Sequence, residues 1–333
     1  MGATHFSGPL YVGGVPTAGM GGFPNFSGTY YYVDAVNGSN GNSGTASSPL
    51  ATVYSAYSRM TSGANDVCVI VGNGAASGSQ RLSLANAVAV NSAATVGTLV
   101  WAKNACHLIG MAAPGPESRA RFAPPTGTYS MATFGSGNFV TVSGTGCYFS
   151  NFSVFNGFST GGSAQIAWTD SGGRNYYEGV DFGGAGDAAS AQSTSSRSLL
   201  ITGTTGANTF VNCQIGLDTV TKTVANASLE FAAGTPRNTF IGCNFPFQTS
   251  SATTIGIIGS AAACMDRWQK FDQCTFINNV QSTSTTMSGL STLAASAGGL
   301  LLMKDCTLVG ISEFGTDATS RGQVYVDGGT VTA

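Results

Sequence analysis

A six-residue pattern, apolar–x–x–Cys–x–apolar, returns four times in the second half of the chain. It occupies residues 210–215 (FVNCQI), 240–245 (FIGCNF), 271–276 (FDQCTF) and 303–308 (MKDCTL). Two looser copies precede them, 149–154 (FSNFSV) and 177–182 (YEGVDF), with Phe152 and Val180 in the cysteine position. That position falls at 152, 180, 213, 243, 274 and 306, so the spacings are 28, 33, 30, 31 and 32 residues. A period near thirty restricts the chain to a stacked architecture, because one such unit cannot bury its own apolar face.

Within each copy the fourth and sixth positions alternate with polar ones, which is the periodicity of a strand. A second short apolar run stands ahead of most copies, at 139–144, 166–168, 198–203, 228–234 and 255–259. The unit therefore reads as strand, tight turn, strand and polar loop. The loops at 157–164, 183–197, 216–227, 246–254 and 278–298 all leave after the cysteine strand and are expected along one side of the stack, where repeat proteins place binding surfaces. From Tyr30 onward this pattern resembles the right-handed parallel β-helix of pectin-lyase-like proteins. The resemblance implies an all-β fold: a single-stranded right-handed parallel β-helix solenoid with an N-terminal capping helix and an extended N-terminal arm.

The ends of the solenoid support that reading. Tyr30–Val33 reads as a strand, 34–47 as a turn-rich loop, and Ser48-Pro49 as the N-cap and first residue of a helix whose apolar positions are Leu50, Val53, Tyr54, Tyr57 and Met60. A helix there would cover the open end of the first coil. This order of elements also resembles the start of many pectin-lyase-like proteins. Residues 66–72, 99–101 and 107–111 read as first coils, residues 112–136 as an excursion carrying Pro114, Pro116, Pro124, Pro125, Arg119 and Arg121, and 323–327 as a closing strand. The expected division is an arm at 1–29, the helix-capped start at 30–62 and the β-helix body at 63–333.

Only 8% of the residues are charged, against about 25% in an ordinary soluble domain. With a net charge of −2, the chain lacks the Lys and Arg density that nucleic acid or an anionic membrane surface requires. A hydrophobic fraction of 42% is ample for folding, so the 47 glycines and the abundant Ser, Thr and Asn belong to a surface of hydroxyls and amides. No stretch approaches the roughly 18 apolar residues of a membrane span, and the first residues show no secretory signal. A reducing cytoplasm is the expected site of folding. The eight cysteines include no C-x-x-C pair and meet only two histidines, so no zinc pattern appears and no cofactor is expected. Cys213, Cys243, Cys274 and Cys306 read as a buried ladder of free thiols, because parallel side chains on one face lie beside each other and do not point at each other.

Chemistry is sparse. Glycan hydrolysis needs two carboxylates about one bond, and the fifteen acids are scattered. Glu178, Asp181 and Asp187 are the best candidates, with Glu178 and Asp181 three apart and expected on opposite faces. Asp272 and Asp305 lie at neighbouring phases of successive turns, and Arg174, Arg197, Arg237 and Arg267 are placed to pair with acids as surface salt bridges. Asp34, Asn37, Asn40 and Asn42 fit either a calcium loop or a turn network, and one carboxylate favours the turn network. His107 sits in an apolar strand and reads as a hydrogen-bonded wall residue.

Residues 1–29 show neither period and carry scattered aromatics. They read as a mobile tail or as an arm that orders on a partner, and the aromatics favour the arm. Its candidate docking residues are His5, Phe6, Pro9, Leu10, Tyr11, Phe23 and Phe26. The stretch Thr4–Leu10 (THFSGPL) resembles the first residues of small virion proteins of tailed bacteriophages, notably head-associated ones. That resemblance implies a non-enzymatic capsid decoration or cement protein, assembled in the bacterial cytoplasm on the major capsid protein as a homotrimer. It involves neither nucleic acid nor membrane. The alternative is a tail spike or fibre whose β-helix binds, and in an active form cleaves, host polysaccharide. It calls for an aromatic and acidic groove, for which the chain offers Trp101, Trp168 and Trp268. A free, exported polysaccharide lyase is the third reading.

Overall fold

The computed structural model describes residues 11–12, 15–16, 26–72, 81–83, 99–112, 118, 120–123, 138–155, 166–184, 193–259, 261–279, 285–316, 318–321, 323–327 and 329–330. Among them, the body strands form three sheets of eleven, nine and seven strands. The chain visits the sheets cyclically. Arg197–Ile201 lies in the seven-stranded sheet, Thr209–Val211 in the eleven-stranded one and Gln214–Ile215 in the nine-stranded one, and the next turn begins at Leu229–Phe231. Pairing between turns is parallel and in register, for example Phe210 opposite Phe240 and Phe240 opposite Phe271. The molecule is a right-handed parallel β-helix.

The repeated pattern proves to be a corner and not one strand. In copy 210–215 the first apolar residue lies in a strand that ends at Val211, and the last belongs to another sheet. The third residue of each copy takes a left-handed conformation: φ is 56° at Asn151, 59° at Gly179, 51° at Asn212, 60° at Gly242, 56° at Gln273 and 50° at Asp305. Short polar residues and glycine adopt this region at least cost. A continuous strand would send position one and position four to opposite faces. The left-handed residue turns the chain, so Phe210, Cys213 and Ile215 all point inward and are buried. The expected single cysteine strand is corrected accordingly.

In-register stacking makes the interior a set of ladders. Phe149, Tyr177, Phe210, Phe240 and Phe271 stack one rung apart, with centroids 4.9, 4.6, 4.6 and 4.6 Å apart and planes within 12°. A second corner carries, over four successive turns, a ladder of buried amides. Asn175 Oδ1 accepts from the Cys147 N–H at 2.9 Å, Asn208 Oδ1 from the Asn175 N–H at 2.9 Å, and Asn238 Oδ1 from the Asn208 N–H at 3.1 Å. Gln269 Oε1 continues it by accepting from the Asn238 N–H at 3.2 Å. Backbone donors that the sheet ladders do not reach are satisfied by the next turn.

Helix α1 (Val53–Arg59) covers the first coil, but it begins later than the Ser48-Pro49 signal suggests. Its N-cap is Thr52, whose side chain accepts from the Ser55 N–H at 3.1 Å. The residues before it are used for pairing. Leu50 bridges Val33, and its N–H and C=O bond to Tyr32 and Asp34. Those bonds cover an edge a helix would have left open. Lys103 Nζ donates to the carbonyls of Tyr57 and Met60 at 2.6 Å each, which satisfies the helix C-terminus. Parts of the expected loops and of the excursion at 112–136 are rungs as well. Arg121–Ala123 supplies a strand of the nine-stranded sheet with Phe122 fully buried, and Leu217–Lys222 pairs with Asn244–Thr249. At the far end Val324–Val326 pairs with Gly299–Lys304, and helix α2 (Ala318–Arg321) places Ser320 Oγ on the Leu293 N–H at 2.9 Å.

Phe240 touches a stacked ring on either side, so its removal opens a cavity that neighbours held by two ladders cannot refill. Phe240→Ala is expected to destabilise the fold by about 3–5 kcal/mol. Denaturant unfolding measures this, and the circular dichroism of the surviving native state should remain β-type.

Candidate functional site: the outer face of the eleven-stranded sheet

Alternation along the strands sends every second residue of the eleven-stranded sheet outward, and register aligns these residues in two columns. One runs through Tyr30, Val67, His107, Tyr148, Tyr176, Thr209, Thr239 and Lys270. Beside it, the other runs through Glu178, Val211, Ile241, Asp272 and Lys304. The face is aromatic near the N-terminal end, uncharged in the middle and ionic near the C-terminal end.

At the aromatic end, Tyr148 and Tyr176 stack at 5.5 Å with planes 9° apart, and Tyr176 is 37% exposed. The Tyr148 hydroxyl donates to Glu178 Oε2 at 2.7 Å. Burial, and then that bond, push the Tyr148 phenol well above its ordinary value. A second, external apolar cluster lies here, with Val67, Val69, Ile109 and Tyr148 covered by Phe26, Tyr30 and Tyr32. Phe26 stacks on His107 at 3.7 Å and 19°. His107 Nδ1 accepts from the Tyr148 N–H at 3.0 Å, so its proton belongs on Nε2, which is 3.3 Å from Asn65 Oδ1. Burial lowers the His107 pKa to about 4, opposed by nearby Asp66.

At the ionic end, Lys270 Nζ lies 2.8 Å from Asp272 Oδ2, and Lys304 Nζ spans Asp272 and Asp305 at 3.2 Å each. Lys270, followed by Lys304, holds the Asp272 carboxyl below its ordinary range. An open cleft of about 570 Å³ lies here, lined among others by Leu302, Tyr325 and Asp327.

The sequence candidates separate. Glu178 and Asp181 lie in different sheets, on either side of the corner at Gly179, and Asp181 is buried, accepting from Ser153 at 3.2 Å and Gln214 at 3.3 Å. Asp187 lies outside the described residues. Asp272 and Asp305 come together, but around Lys304. Arg197 is buried and pairs with Glu230 at 2.8 Å, a partner the sequence reading did not name. Arg267 meets Asp266 at 3.5 Å on the surface, while Arg174 and Arg237 occupy left-handed positions facing solvent. Asp34 accepts from the N–H groups of Val36 and Asn37, Asn40 Oδ1 accepts from Ala51 and Thr52, and Asn42 Nδ2 donates to Pro49, so this loop is a turn network. Arg121 lies in a strand, and Arg119 is outside the described residues. Trp101 and Trp168 are core; Trp268 is half-buried. Asp170, also missed, is fully buried and accepts from Tyr177 at 2.5 Å and Asn175 at 2.9 Å, a load carried by the interior.

The cysteine ladder lies at the corner. Cys213, Cys243 and Cys274 are buried, Cys306 is half-buried, and all four are free thiols. Each donates toward backbone carbonyls, as Cys243 Sγ does to Phe210 and Ile241 at 3.5 Å. Burial holds Cys243 far above the ordinary thiol range, and the bond to Cys243 pushes Cys274 up to about 12. Of the arm residues, Tyr11 lies in a two-residue strand (Tyr11–Val12) paired with Val15–Pro16. Phe26 packs on the body's own face, against His107 and the external apolar cluster. His5, Phe6, Pro9, Leu10 and Phe23 lie outside the described residues. Among the described residues no group of three His, Cys, Asp or Glu side chains is placed to hold a metal ion, and no helix is long and apolar enough to cross a membrane.

No protein-family model matches the chain. No curated protein matches it in sequence. Solved structures do match in shape. Pectin methylesterase PemA from Erwinia chrysanthemi is 14% identical, with a TM-score of 0.56 over 93% of this chain and 92% of that one. A pectin methylesterase in complex with a hexasaccharide gives 14%, 0.53, 93% and 92%. A rhamnogalacturonan lyase gives 14% and 0.54 over 84% of this chain and 68% of that one. At this identity the likeness is one of fold: the chain has the right-handed parallel β-helix of pectin-lyase-like proteins.

His107 is held neutral in the fold, while in the unfolded chain it titrates near 6.5. Between about pH 6.5 and 4 the unfolded state therefore binds more protons, so stability falls as pH falls through that window. Thermal unfolding of the wild type and of His107→Gln is expected to diverge on acidification, with the variant losing less of its midpoint. Parallel curves would remove His107 from the pH response.

Proposed function

We propose that this chain is a non-enzymatic structural protein of a tailed-bacteriophage particle, a capsid decoration or cement protein. Its arm would dock on the major capsid protein, and three copies would assemble per site. The observation that carries the non-enzymatic reading is the fate of the candidate acids. Glu178 and Asp181 are divided between two sheets, and Asp272 and Asp305 are tied to a lysine. No pair among these four frames a bond as glycan cleavage requires. The stretch Thr4–Leu10, with its resemblance to head-associated virion proteins, supports the particle and the arm. Phe26, stacked on His107, is the residue at which the proposed arm would meet the body.

Deletion of residues 1–25, which spares Phe26 and its stack, is expected to abolish binding to purified particles while circular dichroism and thermal midpoint stay at wild-type values. Binding that survives the deletion would end the arm hypothesis. Quantifying the chain against the major shell subunit in particles separates a shell component, present at a comparable ratio, from a rare tail component.

The second reading is a spike or fibre body that binds polysaccharide. It is favoured by the exposed Tyr176 ring, stacked on the buried Tyr148 beside Glu178, where one flat ring adjoins a carboxylate. The structural neighbours named for pectin and rhamnogalacturonan support it at the level of fold. Under this reading Tyr176→Ala weakens binding of host surface polysaccharide roughly tenfold, equivalent to about 1.4 kcal/mol, without lowering the thermal midpoint. Unchanged affinity would remove this face from glycan recognition.

A further inference from the structure

Where the chain passes from the nine-stranded to the seven-stranded sheet, Leu217–Lys222 carries Lys222 into the interior, leaving it 9% exposed. Its ammonium donates to Ser228 Oγ at 3.0 Å and lies 5.8 Å from the Phe247 ring centre. Among the described residues no carboxylate pairs with it. A cavity of about 10 Å³ adjoins it, lined among others by Ser196, Arg197, Ser198 and Asn226. That volume is close to the space of one water-sized occupant.

Charge makes the cavity unusual. Arg197 is 6% exposed, and its guanidinium is already served. Nε meets Glu230 at 2.8 Å, and one terminal nitrogen donates to the carbonyls of Thr194 and Ser196 at 2.7 Å each. Among the described residues, Glu230 therefore balances Arg197, and Lys222 is left as the excess cation. The strands packed against it bring no other ionisable side chain that faces it. Arg197–Ile201 and Leu229–Phe231 supply Arg197 and Glu230, Asn244–Thr249 supplies none, and Asp181 of Asp181–Gly184 is bound to Ser153 and Gln214. On its own strand Asp218 faces solvent.

An ammonium buried without a counter-charge is costly, and it either sheds its proton or acquires an anion. We propose that the cavity between Lys222 and Arg197 is a binding site for one small monoatomic anion of the halide class, which supplies the counter-charge of the lysine. Ammonium hydrogens not spent on Ser228 are the donors, and a space for one water-sized occupant favours a small anion. Burial, and then the neighbouring Arg197, depress the lysine pKa to about 7. The ammonium form that calls for an anion is thus dominant at pH 6 and absent at pH 10.

The test is thermal unfolding of the full chain in sodium chloride against sodium gluconate at equal ionic strength. At pH 6 the midpoint is expected to rise with chloride and saturate, as ligand linkage requires. At pH 10 the two salts should coincide. A bromide-soaked crystal should show an anomalous peak within hydrogen-bond distance of Lys222 Nζ. Lys222→Met should lose the chloride response; if that variant does not fold, the wild-type pH comparison and the bromide peak carry the test. Equal midpoints in both salts at pH 6, with no bromide peak, overturn the site. A chloride response seen only in Asp187→Asn assigns the counter-charge to that carboxylate and overturns it as well.

Discussion

Parallel, in-register pairing is the constraint on which the rest of this structure depends. When strands of successive turns lie about 4.8 Å apart with like residues opposed, each interior side chain must accept its own counterpart as a neighbour above and below. Aromatic rings meet this condition by stacking, and Phe149, Tyr177, Phe210, Phe240 and Phe271 form a column at 4.6–4.9 Å. Carboxamides meet it by handing a carbonyl oxygen to the N–H of the turn before. Thiols meet it as small apolar groups donating weakly to nearby carbonyls. Unpaired charges cannot meet it, because each rung would bring a like charge within a few ångströms. A charged fraction of 8% follows from this as much as from any property of the surface.

Corners decide what the ladders can expose. The left-handed residue ahead of each cysteine lets three apolar side chains face one interior from two sheets. It also sends neighbouring polar residues in different directions. Glu178 and Asp181 are three residues apart in sequence, yet Glu178 joins the outer face beside Tyr148 while Asp181 is buried against Ser153 and Gln214. The structural neighbours, at 14% identity, share the coil that generates such faces. What each protein places on a face is set by its own side chains.

Charge that does enter the body is handled locally. Asp170 is fully buried among Tyr177, Asn175 and the Gly173 N–H, and Glu230 is matched to Arg197. Among the described residues Lys222 departs from that rule, having no carboxylate beside it. The N-terminal segment follows the same economy of surfaces. Phe26, Tyr30 and Tyr32 cover Val67, Val69 and Ile109, which would otherwise form an exposed apolar patch on the first rungs.

The recurrence of apolar–x–x–Cys–x–apolar at about thirty residues determined the solenoid, its parallel stacking and its cysteine ladder, because a period in sequence becomes a period in space only when units stack. Ser48-Pro49 signalled a capping helix but misplaced its start, since Leu50 was needed to pair with Val33, a long-range demand that no local signal carries. The rung at Arg121–Ala123 was hidden among prolines and charge, and the strand Leu217–Lys222 read as loop, because both gain their partners from other turns. Within the candidate site, Glu178 was legible as a carboxylate in a strand. Its bond to Tyr148, thirty residues earlier, and the stack of Tyr148 on Tyr176 were not, since the length of each intervening loop sets the register. The pairing of Arg197 with Glu230 and the burial of Lys222 belong wholly to tertiary structure: a sequence specifies a charge, but only the packed coil decides whether water, a carboxylate or an empty space lies beside it.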